Sequence, residues 1–393
     1  MNVLFVSTDY PKKGQPTTGF PNYLYRVSLS LIALGHRPII LAAGDRDSHR
    51  IEQGIEIQTV MASPSFEVGL QAVDYALYAL QIGHFLNQKI RDITHKTHID
   101  IIQFTSLCGI AIFYYGNIPS VLRLSSYAKT YFSTFQTFSK AKVMTMSFFE
   151  RMSARRCNVV FAPCKNTADA FSKDCHRKVG VIETPFVNDV QKYDTKYYDD
   201  CLKGKKYVLF FGTLYSEKGI LVIADILEKF LLDNPDYYFA FIGKAEKING
   251  ESAFRILRRM AGKCVDRVIL LNAMPHKGLY PIIQHADFVV LPSFMDNMPN
   301  ACIEAMYFER VVIGTDGASF EQLITHEKNG LLCRIGDSAD LLQKMQFAVS
   351  MTWEEKIQMG KLAKKRINRL KPEYAVQKLV QLYEYVIENS RHN

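Results

Sequence analysis

Short runs of β-branched and aromatic residues alternate with longer stretches of helical period along nearly the whole chain. In the first half, residues 3–7, 38–43, 55–60, 99–104, 121–124, 159–162 and 179–182 are apolar runs of strand length. Between them, residues 22–34, 75–94, 143–156 and 165–173 repeat apolar positions every three to four residues and predict helices. Runs apolar on successive positions, not on alternate ones, suit strands buried on both faces. Gly35 follows the first helix in the usual place for a left-handed cap. Strand and helix in regular alternation predict a parallel, doubly wound α/β sheet.

The rhythm breaks at 188–206, a Tyr-, Asp- and Lys-rich stretch without apolar period that reads as a linker. It then restarts, with strands at 207–211, 238–242, 268–270, 288–291, 311–313 and 331–334. Helices are expected at 220–233, 252–264, 277–286, 300–309, 338–350, 353–367 and 373–388. The expected organisation is a first Rossmann-like domain at 1–187, the linker, a second at 207–370, and a final helix at 371–393 packing back on the first. Two such halves would face one another across a central cleft lined by the carboxyl ends of both sheets.

Chemistry concentrates in 286–315, which reads strand, polar loop, helix, strand. Asp296 stands in the loop at the carboxyl end of its strand, and Glu304 about one turn into the following helix. Ligands of open α/β sheets bind at that edge, and the helix N-terminal amides near Asn300 and Ala301 favour a phosphate. Pro299 suits the first helical turn, and Asp296 or Asn297 could equally be no more than a helix cap. Lys218 lies in the Gly212–Gly219 loop after another strand, where a lysine can neutralise a diphosphate. Any single one of these residues reads equally well as solvated surface. Their mapping to one edge of one expected sheet favours a site. Gly19, between the first strand and first helix, would allow a close backbone approach to phosphate or belong to a plain loop.

Composition removes several alternatives. At 393 residues, two domains are expected. No apolar stretch reaches the length of a membrane span, and residues 1–7 read as a strand, not a leader. The eight cysteines are scattered without metal-ligand spacing, which suits a reducing compartment. Net charge is +9, but no tract carries a nucleic-acid-binding pattern. Residues 125–156 interleave aromatics, among them Phe135 and Phe148, with Lys129, Lys140, Lys142, Arg151, Arg155 and Arg156. This stretch reads as a loop or patch meeting an anionic membrane, or as an ordinary helix with a solvated basic side.

The chain resembles the GT-B glycosyltransferases of family 4, the retaining, nucleotide-sugar-dependent group, over nearly its full length. The resemblance rests on Thr18-Gly19, Tyr23 and Gly35-His36 near the start, then Gly212-Thr213-Leu214 with Glu217-Lys218-Gly219. Its most specific part is Asp296 to Glu304, where the family has Glu-x7-Glu, followed by Ala305-Met306 and Val311-Val312. It implies sugar transfer from a UDP- or GDP-linked donor to a hydroxyl acceptor, with no cofactor and no required metal. Lys218, Asp296 and Glu304 would be the catalytic set: Lys218 on the diphosphate, Asp296 on sugar hydroxyls, Glu304 on the ribose. Gly19, Ser125, Gly212, Thr213, Met274, Asn297, Met298, Asn300 and Ala301 would complete the donor site, with Met274 beside the base. Three positions depart from the pattern. Thr213 replaces an Arg that would pair the diphosphate, a gap that Arg123 or a lysine could fill. Asp296 replaces a Glu, and Ser125-Ser126 replace a His. Expected partners are the donor and acceptor, a cytoplasmic location, and peripheral contact with the inner face of an anionic membrane. An inverting transferase, a nucleotide-sugar epimerase and a non-catalytic nucleotide- or lipid-sensing module are the rival readings.

Overall fold

The structure, a computed structural model, describes residues 1–10, 20–62, 68–132, 138–188 and 190–391. In chain order its first elements are β1 (Asn2–Ser7), α1 (Phe20–Ala33), β2 (Arg37–Gly44), β3 (Ser48–Glu52), β4 (Ile55–Met61), α2 (Gln71–Lys96) and β5 (Ile101–Thr105). Next come β6 (Ser120–Arg123), α3 (Ala128–Tyr131), α4 (Lys140–Arg155), β7 (Val159–Ala162), α5 (Lys165–Cys175) and β8 (Val179–Val181). The second half runs α6 (Lys196–Cys201), β9 (Lys206–Phe211), α7 (Ile220–Asp233), β10 (Tyr237–Ile242), β11 (Lys247–Ile248), β12 (Glu251–Ser252), α8 (Ala253–Met260) and β13 (Val268–Leu271). It continues with α9 (His276–His285), β14 (Phe288–Leu291), α10 (Asn300–Tyr307), β15 (Val311–Thr315), β16 (Leu331–Cys333), α11 (Ser338–Ser350) and α12 (Trp353–Ile367). Helix α13 (Pro372–Arg391) closes the chain. Two compact units result, 1–187 together with 370–393, and 188–369.

The first unit is one eight-stranded sheet in the order β3-β4-β2-β1-β5-β6-β7-β8. All its pairings are parallel except β3 with β4 at one edge. Period two decides which core each side chain enters. Leu4, Val6, Leu41, Phe104 and Leu122 point to the face covered by α2 and α5, and Val3, Phe5, Ile40, Ile101 and Val121 to the face covered by α1 and α13. Both faces are therefore dry, which is why these strands read as unbroken apolar runs. Helix α13 enters that second core through Val376, Leu379, Tyr383 and Val386. The buried Tyr383 hydroxyl donates to Gln103 Oε1 at 2.6 Å. Gly35, at φ +78°, ends α1 in the left-handed region.

The second unit carries a parallel six-stranded sheet in the order β13-β10-β9-β14-β15-β16. Its chain starts at β9, winds outward through β10 to β13, then returns to β14 on the other side and winds through β15 to β16. The order reverses between β9 and β14, so the loops leaving those two strands meet at the switch point where such sheets bind ligands. At the opposite, amino end of β14, Asp287 Oδ2 accepts from Tyr237 Oη and Lys356 Nζ, each at 2.6 Å, which ties α12 to the sheet.

Besides the short α3 and the β11–β12 pair, three details depart from the sequence expectation. Residues 48–61 form a hairpin around Gln53-Gly54, both at positive φ, so a strand precedes the run at 55–60. The stretch expected as a linker holds α6, which packs on α9 with Tyr198 stacked on His285 at 4.1 Å. The single helix expected at 252–264 stops at Met260 and gives way to a 3-10 turn at Gly262–Arg267, with Gly262 at φ +50°.

Candidate functional site

Lys218 and Asp296 come from the two loops that leave β9 and β14. Backbone contacts lock those loops together. The Phe294 amide donates to the Glu217 carbonyl at 2.9 Å, and Gly219 sits at φ +76° so close to Pro292 that a Cβ there would lie 2.0 Å from its carbonyl oxygen. Only glycine meets both demands. Gly212 and Gly243 meet in a similar way, since a Cβ on Gly243 would strike the Gly212 carbonyl oxygen at 1.7 Å.

The loop clamp brings Lys218 Nζ onto Asp296 Oδ2 as a close ion pair, with side chains 26% and 20% exposed. The other carboxylate oxygen of Asp296 accepts the Asn297 amide at 3.0 Å. The hydrogen bonds of Asp296 thus go to Lys218 and its own neighbour, while Pro299 occupies the helix-cap position of α10 and makes no side-chain cap. This disposes of Asp296 as a plain cap. Inside α10 the first closing bond runs from the Ile303 amide to the Pro299 carbonyl at 3.1 Å, which leaves the amides of Asn300 and Ala301 ahead of it at the positive end of the helix dipole.

Glu304 lies on α10 with its side chain buried, and its Oε1 stands 3.4 Å from His276 Nε2. His276 opens α9 and stacks on Tyr280, ring centroids 5.1 Å apart and planes nearly parallel. Met274, half-buried, lies two residues before it in the loop from β13. Sequence reasoning missed His276. The signal available was its place at the carboxyl edge, at the start of a helix and next but one to Met274. Cys302, two residues after Asn300 and fully buried, is no nucleophile: burial first, and then the Asp296 charge, push its thiol well above the ordinary range.

Gly212 and Thr213 open the loop of Lys218, and Thr213 lines an open polar groove of about 570 Å³ with Tyr215, Ser216, Glu246 and Asn249. Met298 is buried, whereas Asn297 and Ala301 are half-exposed and Asn300 is exposed. Gly19 and Phe135 lie outside the described residues. Ser125 belongs to the first unit, as does Arg123, which is buried at the end of β6 and donates to Ser125 and Thr184. Among the described residues, no cluster of His, Cys, Asp and Glu could hold a metal ion, and no helix is long and apolar enough to cross a membrane.

Residues 205–350 match the family model described as glycosyl transferases group 1. Over 211 residues the chain is 25% identical to the GDP-mannose:cellobiosyl-diphosphopolyprenol alpha-mannosyltransferase of Xanthomonas campestris, covering 53% of this chain and 54% of that protein. The chain thus spans about half the length of the curated relative it matches. Among solved structures it is similar to sucrose-phosphate synthase of Thermosynechococcus elongatus, with TM-score 0.77 and 16% identity over 99% of this chain and 100% of that one. It is also similar to HepE of Anabaena in complex with UDP and glucose, with TM-score 0.72 and 17% identity over 98% and 100% of the two chains. These likenesses show the α/β fold of two parallel-sheet units known as GT-B, and with the family match they support a glycosyltransferase.

Proposed function

We propose that this protein is a retaining glycosyltransferase that moves a hexose-type sugar from a nucleoside diphosphate donor to a hydroxyl of a glycan, glycolipid or small-metabolite acceptor. One observation carries the reading: at the switch point of the second sheet, Lys218 and Asp296 meet from adjacent loops beside a helix that also carries the buried carboxylate of Glu304. A diphosphate needs a cation and helix amides, a ribose needs a carboxylate acceptor, and a sugar needs polar groups between them. This edge offers all three.

In this mechanism Lys218 exchanges Asp296 for the β-phosphate as donor binds. Asp296 is then released to accept from sugar hydroxyls, while Lys218 and the amides of Asn300 and Ala301 take up charge as the diphosphate departs. Glu304, steadied by His276, accepts from the ribose hydroxyls, and Met274 lies beside the base. Met298 backs the loop, and Gly212, Thr213 and Asn297 give it polar, close-fitting backbone. No step requires a metal.

The relative from Xanthomonas campestris, named for GDP-mannose and a diphosphopolyprenol, supports a GDP-linked donor and a lipid-linked acceptor. HepE, solved with UDP and glucose, supports UDP instead. Helix α4 exposes Met144 and Phe148 beside Lys140 and Arg155, which fits peripheral contact with an anionic membrane from the cytoplasmic side. The test is a screen of UDP- and GDP-sugars by thermal shift, followed by transfer assays and determination of the product's anomeric configuration. Lys218→Ala is expected to abolish transfer. Full transfer by that variant, or an inverted product, refutes the corresponding part of the reading.

A further inference from the structure

The first unit holds a cation that the proposed donor chemistry does not use. Arg123 ends β6 at the carboxyl edge of the eight-stranded sheet and is 4% exposed. Its guanidinium lies over the Tyr23 ring, Cζ 3.8 Å from the centroid. Nη1 donates to Ser125 Oγ at 3.3 Å and Nη2 to Thr184 Oγ1 at 3.0 Å, while among the described residues the buried Nε has no partner. Among the described residues no carboxylate pairs with it. The groups that favour its charge are Tyr23, Cys164 and Tyr383, and burial holds both tyrosines in the neutral form.

Two other arginines show what a structural guanidinium looks like in this chain. Arg177 donates to the carbonyls of Ala154, Cys157 and Asn158, and Arg267 to those of Leu231, Asn234, Pro235 and Tyr237. Each ties loops together through oxygen acceptors. Arg123 instead ends on two hydroxyls, and both hydroxyl-bearing residues are part-exposed.

The proton count around those hydroxyls is unbalanced. Thr184 Oγ1 accepts from Arg123, and among the described residues its own proton has no acceptor. Ser125 Oγ accepts from Arg123 and shares a 3.3 Å hydrogen bond with Thr105 Oγ1, which already accepts the Leu107 amide at 3.4 Å. Whichever way the Ser125–Thr105 bond runs, one proton of that pair is left over. Two hydroxyl protons therefore stand at the sheet edge, polarised by a full positive charge directly behind them, with no anion among the described residues to receive them.

We infer that Arg123, Ser125 and Thr184 form a second anion site that receives a phosphoryl group carried by the acceptor. That the phosphoryl group belongs to the acceptor rests on the transferase reading above; the binding of a phosphoryl group does not. A tetrahedral oxyanion suits the cluster, because it presents several oxygens to donors that diverge from one guanidinium.

The experiment titrates inorganic pyrophosphate, glucose 6-phosphate and geranyl diphosphate into the full chain by calorimetry, in a Lys218→Met background and with UDP or GDP at saturation. Those conditions silence the proposed donor site. At least one probe is expected to bind, and Ser125→Ala/Thr184→Val is expected to weaken it about tenfold or more, as loss of charge-assisted hydrogen bonds does. Arg123→Met, which keeps the stacking on Tyr23, should abolish it. If Arg123→Met fails to fold, the double variant decides, because it leaves the guanidinium in place. Preference for glucose 6-phosphate or for geranyl diphosphate separates a sugar phosphate from a lipid diphosphate as the source. Absence of binding by all three probes, equal binding by the double variant, or displacement by UDP or GDP overturns the inference. Binding without any transferase activity leaves this site standing and removes the function proposed above.

Discussion

Replacing Asp296 by asparagine should tighten the binding of a free nucleoside diphosphate. Lys218 is held by Asp296 in the ligand-free chain, so a diphosphate gains the lysine only after that ion pair opens. Fully exposed pairs are worth about 0.2–1 kcal/mol, and breaking a buried pair costs about 3–5 kcal/mol. With side chains 26% and 20% exposed, this pair lies between, at about 1–2 kcal/mol. Asparagine keeps the shape and still accepts from the Asn297 amide, but it no longer competes for the lysine. Removing the competitor should lower Kd for UDP or GDP roughly five- to thirtyfold. Transfer should fall in the same variant, because the sugar loses its carboxylate. Calorimetry with the nucleotide alone isolates the first effect, since no sugar is present to complicate it. Unchanged or weaker nucleotide binding by a folded Asp296→Asn variant refutes the exchange.

Three further outcomes follow from the same geometry. Glu304→Gln should weaken nucleotide binding about tenfold or more through the loss of charge-assisted hydrogen bonds, and the loss should vanish for a 2′,3′-dideoxynucleotide; an equal loss for both nucleotides removes the ribose assignment. Gly219→Ala should destabilise the second unit by about 2–4 kcal/mol in calorimetric unfolding, from a left-handed backbone and overpacking against Pro292; a neutral result contradicts the clamp. Burial raises the Glu150 carboxyl from 4.5 to about 8, against the opposing hydrogen bond from the Ala128 amide. The folded chain then holds a proton that the unfolded chain releases above about pH 4.5, so stability falls as pH rises from there to about 8. Glu150→Gln should therefore be near neutral at pH 4 and more stable than the parent at pH 8, by at most a few kcal/mol. A stability gap that does not change with pH over that range contradicts the assignment.

The strands and most helices were legible because both faces of each sheet are covered, which turns strand residues into continuous apolar runs. Helices 220–233, 338–350 and 353–367 are found at those very bounds. The β3–β4 hairpin escaped notice because its edge strand, Ser-His-Arg-Ile-Glu, buries little and carries no apolar period. Helix α6 escaped because it is only six residues long and makes its packing through tyrosines, which a reading of aliphatic periodicity passes over. For the site, the sequence gathered Lys218, Asp296 and Glu304 at one sheet edge but not the contact between the first two, since a salt bridge across 78 residues depends on how two glycine-shaped loops are clamped. His276 was passed over for a similar reason, although its place at the carboxyl edge was legible. Its meaning comes from Glu304, on a different helix, and not from its neighbours in sequence.

The seating of α13 sets an order of events during synthesis. The core under α1 is sealed by Val376, Leu379, Tyr383 and Val386, and Tyr383 supplies the buried hydroxyl that satisfies Gln103. Until those residues leave the ribosome, the first unit keeps an uncovered apolar face and a Gln103 side-chain oxygen without its Tyr383 donor. The second unit, continuous from 188 to 369, needs nothing further downstream. The half of the chain made first is thus the half completed last, and for some seconds of elongation a nascent first unit presents a greasy, unfinished surface that chaperones would be expected to hold.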